Sequence, residues 1–206
     1  DGGMAIAVGI SDSPTGPFRD PLGHALINRH TPNCASVTWL FDPAVLVDDD
    51  GTGYIYVGGG VPEGRAADPG TARCCQLGED MISLVGEPQP FNPPWLFEDS
   101  GIVKIGGKYV YSYCTNFSVP AGTPGFRNGE IHTMISDKPL GPFAYADRVL
   151  KNPEDYFGTG GNNLKETMRL NQLAADCGAD AVLVVTPFYY KGGMKDAVLE
   201  NYFTAV

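Results

Sequence analysis

The segment Ser11-Asp12-Ser13-Pro14-Thr15-Gly16-Pro17-Phe18 returns late in the chain as Ser136-Asp137-Lys138-Pro139-Leu140-Gly141-Pro142-Phe143, each time just after a strand-like run. A second echo sets Asp50-Gly51-Thr52-Gly53-Tyr54-Ile55-Tyr56 against Gly106-Gly107-Lys108-Tyr109-Val110-Tyr111. Glycine and proline at matched offsets confine such a chain to short strands reversed by tight turns. The runs between the turns agree: Ala5–Ile10, Tyr54–Val57, Ile102–Ile105, Tyr109–Tyr113 and Ile131–Ile135 alternate apolar with small or polar residues, and each is bounded by Gly, Pro, Asp or Ser. With 27 glycines, 17 prolines and no G-X-Y period, the 206 residues are turn-rich rather than collagenous, and 43% hydrophobic with 18% charged residues excludes disorder and coiled coil. Turn-rich units of about 50 residues predict blades of a β-propeller, with a Greek-key sandwich as the alternative.

The texture changes near residue 160. Only Gly178, Pro187, Gly192 and Gly193 of all the glycines and prolines lie beyond residue 164. Leu170, Leu173, Ala174 and Cys177 fall at i, i+3, i+4 and i+7, behind Asn163 and Glu166 as N-cap and capping-box partner, and Gly178 is a natural stop. Ala181–Val185 is a continuous apolar run of strand length, followed by a second helical stripe at Val198, Leu199, Tyr202 and Phe203. Helix, buried strand and helix make an α/β unit that is too short to complete a parallel sheet, so it reads as a piece of something larger. Two domains are expected, 1–163 and 164–206.

A formal charge of −10 repels phosphate backbones and anionic surfaces, which argues against nucleic acid as partner. No apolar run reaches the length of a membrane span, so no membrane partner is expected, and Asp1-Gly2-Gly3 carries no signal-peptide pattern. Cys34, Cys74, Cys75, Cys114 and Cys177 show no C-x-x-C spacing and read as free buried thiols. Asp48-Asp49-Asp50-Gly51 fails as a calcium loop, because Leu46 and Val57 occupy ligand positions, and reads as a polar turn joining two strands. His24, His30 and His132 lack metal-ligand spacing and are expected at the surface or in satisfied, partly buried positions. No metal site and no cofactor are predicted.

Two carboxylates stand out by their company. Asp42 lies in Leu40-Phe41-Asp42-Pro43-Ala44-Val45 and Glu98 in Trp95-Leu96-Phe97-Glu98-Asp99-Ser100-Gly101-Ile102, each at the opening of a repeat unit. In a propeller the innermost strand of each blade starts at the axis, so acids at equivalent positions converge. A desolvated acid beside an ionised one, in an aromatic-rimmed hollow, suits glycoside hydrolysis. Trp39, Phe41, Trp95 and Phe97 offer flat faces for sugar rings. Turn or capping roles for both acids remain open at this point.

These motifs resemble glycoside hydrolase family 43. The resemblance runs from Ala5 to Asn163 and is carried by Val8–Phe18, by Phe41-Asp42-Pro43-Ala44-Val45 with Asp48–Gly51, by Phe97–Ile102 with Gly107-Lys108-Tyr109, and by Asn152-Pro153 through Asn163. It implies part of a five-bladed β-propeller (about the second and third blades with flanking strands), an oligosaccharide or polysaccharide substrate, and inverting hydrolysis of arabinofuranosyl or xylosyl linkages. By it Glu98 is the general acid and Asp42 the acid that tunes and orients it, while the general-base Asp falls before Asp1, so that little turnover is expected. An axial calcium and an exported parent enzyme are compatible with the resemblance, but no motif here encodes either. From Lys165 to Lys191, through Thr186-Pro187-Phe188-Tyr189-Tyr190, the chain resembles the dihydrodipicolinate synthase and N-acetylneuraminate lyase superfamily of (β/α)8 barrels. There Tyr189 matches the proton-relay tyrosine, and the Schiff-base lysine falls after Val206. A carbohydrate-binding fragment without catalysis and a pyruvate-type aldolase fragment are the competing functions.

Overall fold

A computed structural model describes residues 3–151 together with Met168, Gln172, Leu173 and Asp176. The chain divides into two compact units, Asp1–Gly158 and Thr159–Val206. The first is all β. Its strands are β1 (Ala44–Val47), β2 (Gly53–Val57), β3 (Ala72–Leu77), β4 (Leu84–Phe91), β5 (Leu96–Ile105), β6 (Lys108–Thr115), β7 (Ile131–Ser136) and β8 (Ala144–Leu150). They form two four-stranded sheets, β1-β2-β3-β4 and β5-β6-β7-β8, each an antiparallel meander in sequence order.

The turns behave as their residues require. Asp48–Thr52 reverses the chain between β1 and β2, closed by Asp48 N–H to Thr52 O at 2.9 Å and Gly51 N–H to Asp48 O at 2.9 Å. Gly106-Gly107 joins β5 to β6 with φ of +57° and +78°, the left-handed pair that a two-residue hairpin needs. The repeated octapeptide folds the same way twice. Ser11 and Ser136 Oγ accept the N–H of Ser13 and Lys138, at 3.1 and 3.0 Å, and the following turns close from Gly16 to Ser13 and from Gly141 to Lys138. Both copies carry a cis Gly-Pro bond. Their packing differs: Phe18 is exposed, while Phe143 packs into the core against Phe91 at 5.3 Å.

Two cores hold this unit. Ile55, Val57, Cys75 and Leu77 on one face of the first sheet pack with Ile6, Ile27, Cys34, Val37 and Leu40 from the segment before it. Tyr56 and Cys74 on the opposite face meet Leu96, Tyr111, Tyr113 and Met134 of the second sheet. Covering β2 on both sides explains its nearly continuous burial. Cys34, Cys74, Cys75 and Cys114 are free and buried, as their spacing predicts. The outer face of the second sheet leaves Val103, Ile105 and Ile135 exposed.

Ala5–Ile10, expected as a strand, is not one. It makes only isolated bridges, Ile6 with Ile27 and Ile10 with Arg19, because the returning stretch turns at Pro21–His24 and offers no continuous ladder. In the second unit Met168, Gln172, Leu173 and Asp176 are helical, and Gln172 Nε2 donates to Asp176 Oδ1 at 2.8 Å. Leu173, assigned to an apolar stripe, is 49% exposed. Leu170, Ala174, Cys177, Ala181–Val185, Val198, Leu199, Tyr202, Phe203 and Tyr189, like Asn152, Asn163 and Glu166, lie outside the described residues.

The sheets approach through glycine. Gly58-Gly59-Gly60, just after β2, threads between the segment that leads into β1 and the start of β5: Gly58 N–H donates to Phe41 O at 3.2 Å and Gly60 N–H to Phe97 O at 2.8 Å. A Cβ on Gly59 would stand 2.3 Å from Phe97 O and 2.9 Å from the Phe41 ring. Gly59→Ala is therefore expected to destabilise the first unit by about 3 kcal/mol, since neither backbone can retreat. Gly9→Ala, whose Cβ meets only Phe18 at 3.7 Å, should stay within about 0.5 kcal/mol of the parent. Denaturant unfolding of both variants measures the difference, and equal midpoints would contradict the close approach.

Candidate functional site

Phe41 and Phe97, the two residues pinned by the glycine run, directly precede Asp42 and Glu98. Backbone pairing on each side thus brings two acidic segments from distant parts of the chain to one place. Asp42 Oδ2 accepts the backbone N–H of Asp99 at 3.2 Å, a bond from the first sheet's leading segment to β5 itself.

The local backbone is unusual at this point. Asp42, Trp95 and Asp99 adopt φ of +47°, +58° and +64°, a region that residues with a Cβ seldom enter without a reason. In β5, Leu96 pairs with Thr115, Glu98 with Cys114 and Gly101 with Ser112, so the register slips once on each side of Glu98. Paired bulges of this kind turn a side chain out of the regular alternation. Asp99 occupies the second slip. Gly101 closes it, because Ser112 Oγ sits 2.3 Å from where a Cβ would be.

Electrostatics follow from that geometry. Glu98 is half-buried, and its carboxyl is pushed up to about 7, first by burial and then by the like charges of Asp99 and Asp42. Asp99 is also raised, first by the chain crowding its carboxylate and then by Asp42, although its exposed side chain leaves water to screen the effect. Burial raises the Cys114 thiol opposite Glu98, with Asp99 and Glu98 adding to it. A carboxylic acid held near neutrality by burial and by neighbouring carboxylates is equipped to donate its proton.

Trp39, Phe41 and Phe97 gather edge to face, with Trp39 centroids 5.5 Å from Phe41 and 5.3 Å from Phe97, and Phe117 joins Phe97 at 5.4 Å. Trp95 is half-buried and contacts no ring among the described residues. Its backbone N–H donates to Ala67 O at 3.1 Å, and its backbone carbonyl accepts from the buried Asn116. A shallow hollow of about 410 Å³ lies elsewhere, along Gly9–Pro14 and Phe18, and none of these residues lines it.

Sequence reasoning overlooked Gly58–Gly60, Asp99, Ser100, Tyr111 and Phe117. Three consecutive glycines after a strand were a readable sign of close backbone approach; nothing in the sequence marked Tyr111. It also expected His132 at the surface or in a satisfied, partly buried position, whereas His132 is fully buried, stacked on Phe126 at 4.7 Å and facing buried Glu130 at 3.2 Å, with Arg148 on the other carboxylate oxygen. Among the described residues no cluster of His, Cys, Asp and Glu is arranged to hold a metal ion.

Known proteins resemble the two parts separately. An arabinoxylan arabinofuranohydrolase of Paenibacillus polymyxa is 55% identical over 169 residues, covering 79% of this chain and 26% of that protein. The crystal structure of a glycoside hydrolase family 43 arabinoxylan arabinofuranohydrolase from Bacillus subtilis, in complex with cellotetraose, is 51% identical with a TM-score of 0.69, covering 77% of this chain and 34% of that one. That of an α-L-arabinofuranosidase from Clostridium thermocellum is 40% identical with a TM-score of 0.63, covering 77% and 48%. The chain thus spans about a quarter of the curated relative and a third to a half of these structures. Residues 147–206 match the dihydrodipicolinate synthetase family.

The raised acid has a thermodynamic signature. Between pH 4.5 and 7 the folded chain holds a Glu98 proton that the unfolded chain releases, so this group's contribution to stability falls as pH rises through that window. Glu98→Gln is expected to stabilise the chain by on the order of 1 kcal/mol at pH 8, with solvent screening allowed for, and to be neutral at pH 4. Melting at the two pH values tests this; an equal effect at both would contradict a raised Glu98.

Proposed function

We propose that residues 1–163 supply the proton-donating part of a family 43 glycoside hydrolase site acting on arabinofuranosyl or xylosyl linkages of plant polysaccharide. The reading rests on the likeness to arabinoxylan arabinofuranohydrolases and on one structural observation: a half-buried Glu98, raised toward neutrality, on a doubly bulged strand that Asp42 grips through the Asp99 amide.

In this reading the two antiparallel sheets are two blades of a five-bladed propeller. Glu98 gives its proton to the glycosidic oxygen as the bond to the departing sugar breaks, which spares the leaving group from departing as an alkoxide. Asp42 keeps that carboxyl in place by fixing the backbone beside it, and its negative charge opposes early loss of the proton. Trp39, Phe41, Phe97 and Trp95 present apolar surface to sugar rings. Inversion also requires a base to activate water on the opposite face of the sugar. The family resemblance assigns that base to none of these 206 residues. The tail from 164 is a segment of aldolase-barrel type, supported by its family match, in which Tyr189 matches the proton-relay tyrosine of that superfamily.

Arabinosylated xylo-oligosaccharides are the appropriate substrate, because their leaving hydroxyl needs a proton. The purified chain is expected to release arabinose about 100- to 10,000-fold more slowly than a complete enzyme of the family, and Glu98→Gln should remove what remains. Full-rate hydrolysis lost in Glu98→Gln would overturn the missing base, and hydrolysis indifferent to Glu98→Gln would overturn the role of Glu98.

A further inference from the structure

The second bulge of β5 has a support on its inner side that neither acid provides. Ser100, two residues beyond Glu98, shares a hydrogen bond of 2.9 Å with the hydroxyl of Tyr111. Tyr111 is fully buried on β6, packed between the sheets against Phe91 at 4.8 Å and Tyr113 at 6.1 Å. Its ring is held by the core, so its hydroxyl is a fixed point, and Ser100 is its hydrogen-bond partner there. The bulge is thus held at two places, at Asp99 by the Asp42 carboxylate and at Ser100 by the Tyr111 hydroxyl.

We propose that Tyr111 is a positioning residue: through Ser100 it locks the slip between Glu98 and Gly101, and so fixes where the Glu98 carboxyl stands. The proposal rests on the reading of Glu98 as proton donor for its functional meaning, but its geometry stands independently. Without this anchor the strand regains freedom to slide toward regular pairing, and the Glu98 side chain moves toward water. The charged and titratable groups that face Glu98 are Asp42 from the segment before β1, Asp99 on β5 and Cys114 on β6. None of them is altered by removing a hydroxyl from Tyr111.

Tyr113 provides the matched control. It is an equally buried tyrosine on the same strand, and its hydroxyl has no hydrogen-bond partner among the described residues. Glu98 is followed by carbon-13 NMR of the chain labelled at the glutamate carboxyl carbon, its resonance assigned by its loss in Glu98→Gln. Tyr111→Phe and the milder Ser100→Ala are each expected to lower the Glu98 midpoint by about one unit and to move its carboxyl resonance, while Tyr113→Phe leaves both unchanged. Unchanged midpoint and resonance in folded Tyr111→Phe or Ser100→Ala would overturn the proposal, as would an equal shift in Tyr113→Phe. If Glu98 of the parent chain titrates as an ordinary carboxyl, the proton-donor reading fails by itself. The carboxyl resonance then still decides for or against the Tyr111 anchor, by moving or staying in Tyr111→Phe.

Discussion

The arrangement depends on a run of three glycines used as a backbone bridge. Gly58 and Gly60 donate to the carbonyls of Phe41 and Phe97, and those two residues immediately precede the acids. Side chains could not do this work, because the backbones meet closer than a Cβ allows at Gly59. Hydrogen bonds between main chains also place the acids more firmly than contacts between long, rotatable side chains, since the carboxyl-bearing residues have little conformational freedom left to lose. Asp42 and Asp99, the residue after Glu98, then sit in backbone conformations that cost energy, at φ of +47° and +64°. Such strain persists only where the surroundings over-determine it. Here the surroundings are the glycine bridge, the Asp42–Asp99 bond and the Ser100–Tyr111 bond.

The chemistry follows from the same packing. Burial is the larger cause of the raised Glu98, with Asp99 and Asp42 adding to it. An isolated half-buried glutamate would relax toward solvent and titrate normally. The two register slips prevent that by turning Glu98 out of the strand's ordinary alternation and holding it there. A distant polar cluster ties the opposite ends of the same strands together: Lys104 of β5 reaches Asp49 at 2.7 Å and also Asp48, which accepts the Tyr109 hydroxyl as well. The first and second sheets are therefore joined at both ends of β5, and the acid sits at the end joined by backbone.

The repeated octapeptide and the glycine hairpins were legible in the sequence because turn chemistry is local: a serine hydroxyl, a glycine at positive φ and a following proline act within a few residues. The tyrosine-rich strands were legible for a similar reason, as alternation is a property of one strand. Asp42 and Glu98 could be picked out, but only their apolar neighbours and the family resemblance pointed to them. The features that aim Glu98 were not legible. A bulge is a relation between two strands, and Tyr111 looks the same as Tyr109 or Tyr113 until the partner of its hydroxyl is known. Ala5–Ile10 misled for the converse reason: its pattern suits a strand, yet it finds only isolated bridges. The Leu173 stripe likewise has a helical period, but Leu173 is exposed, since periodicity does not supply the surface against which a stripe is buried.

The bond from Asp99 N–H to Asp42 is where sheet, bulge and charge meet, and it reports directly in a proton–nitrogen NMR spectrum of the chain. In the parent, the Asp99 amide should exchange slowly with solvent, and its proton should resonate downfield as that of an amide bonded to a carboxylate. In Asp42→Asn both properties should weaken while amides of the distant Lys104–Asp48 end stay unchanged. An Asp99 amide that exchanges as fast as an open loop in the parent, and ignores Asp42→Asn, would contradict the convergence of the two acids.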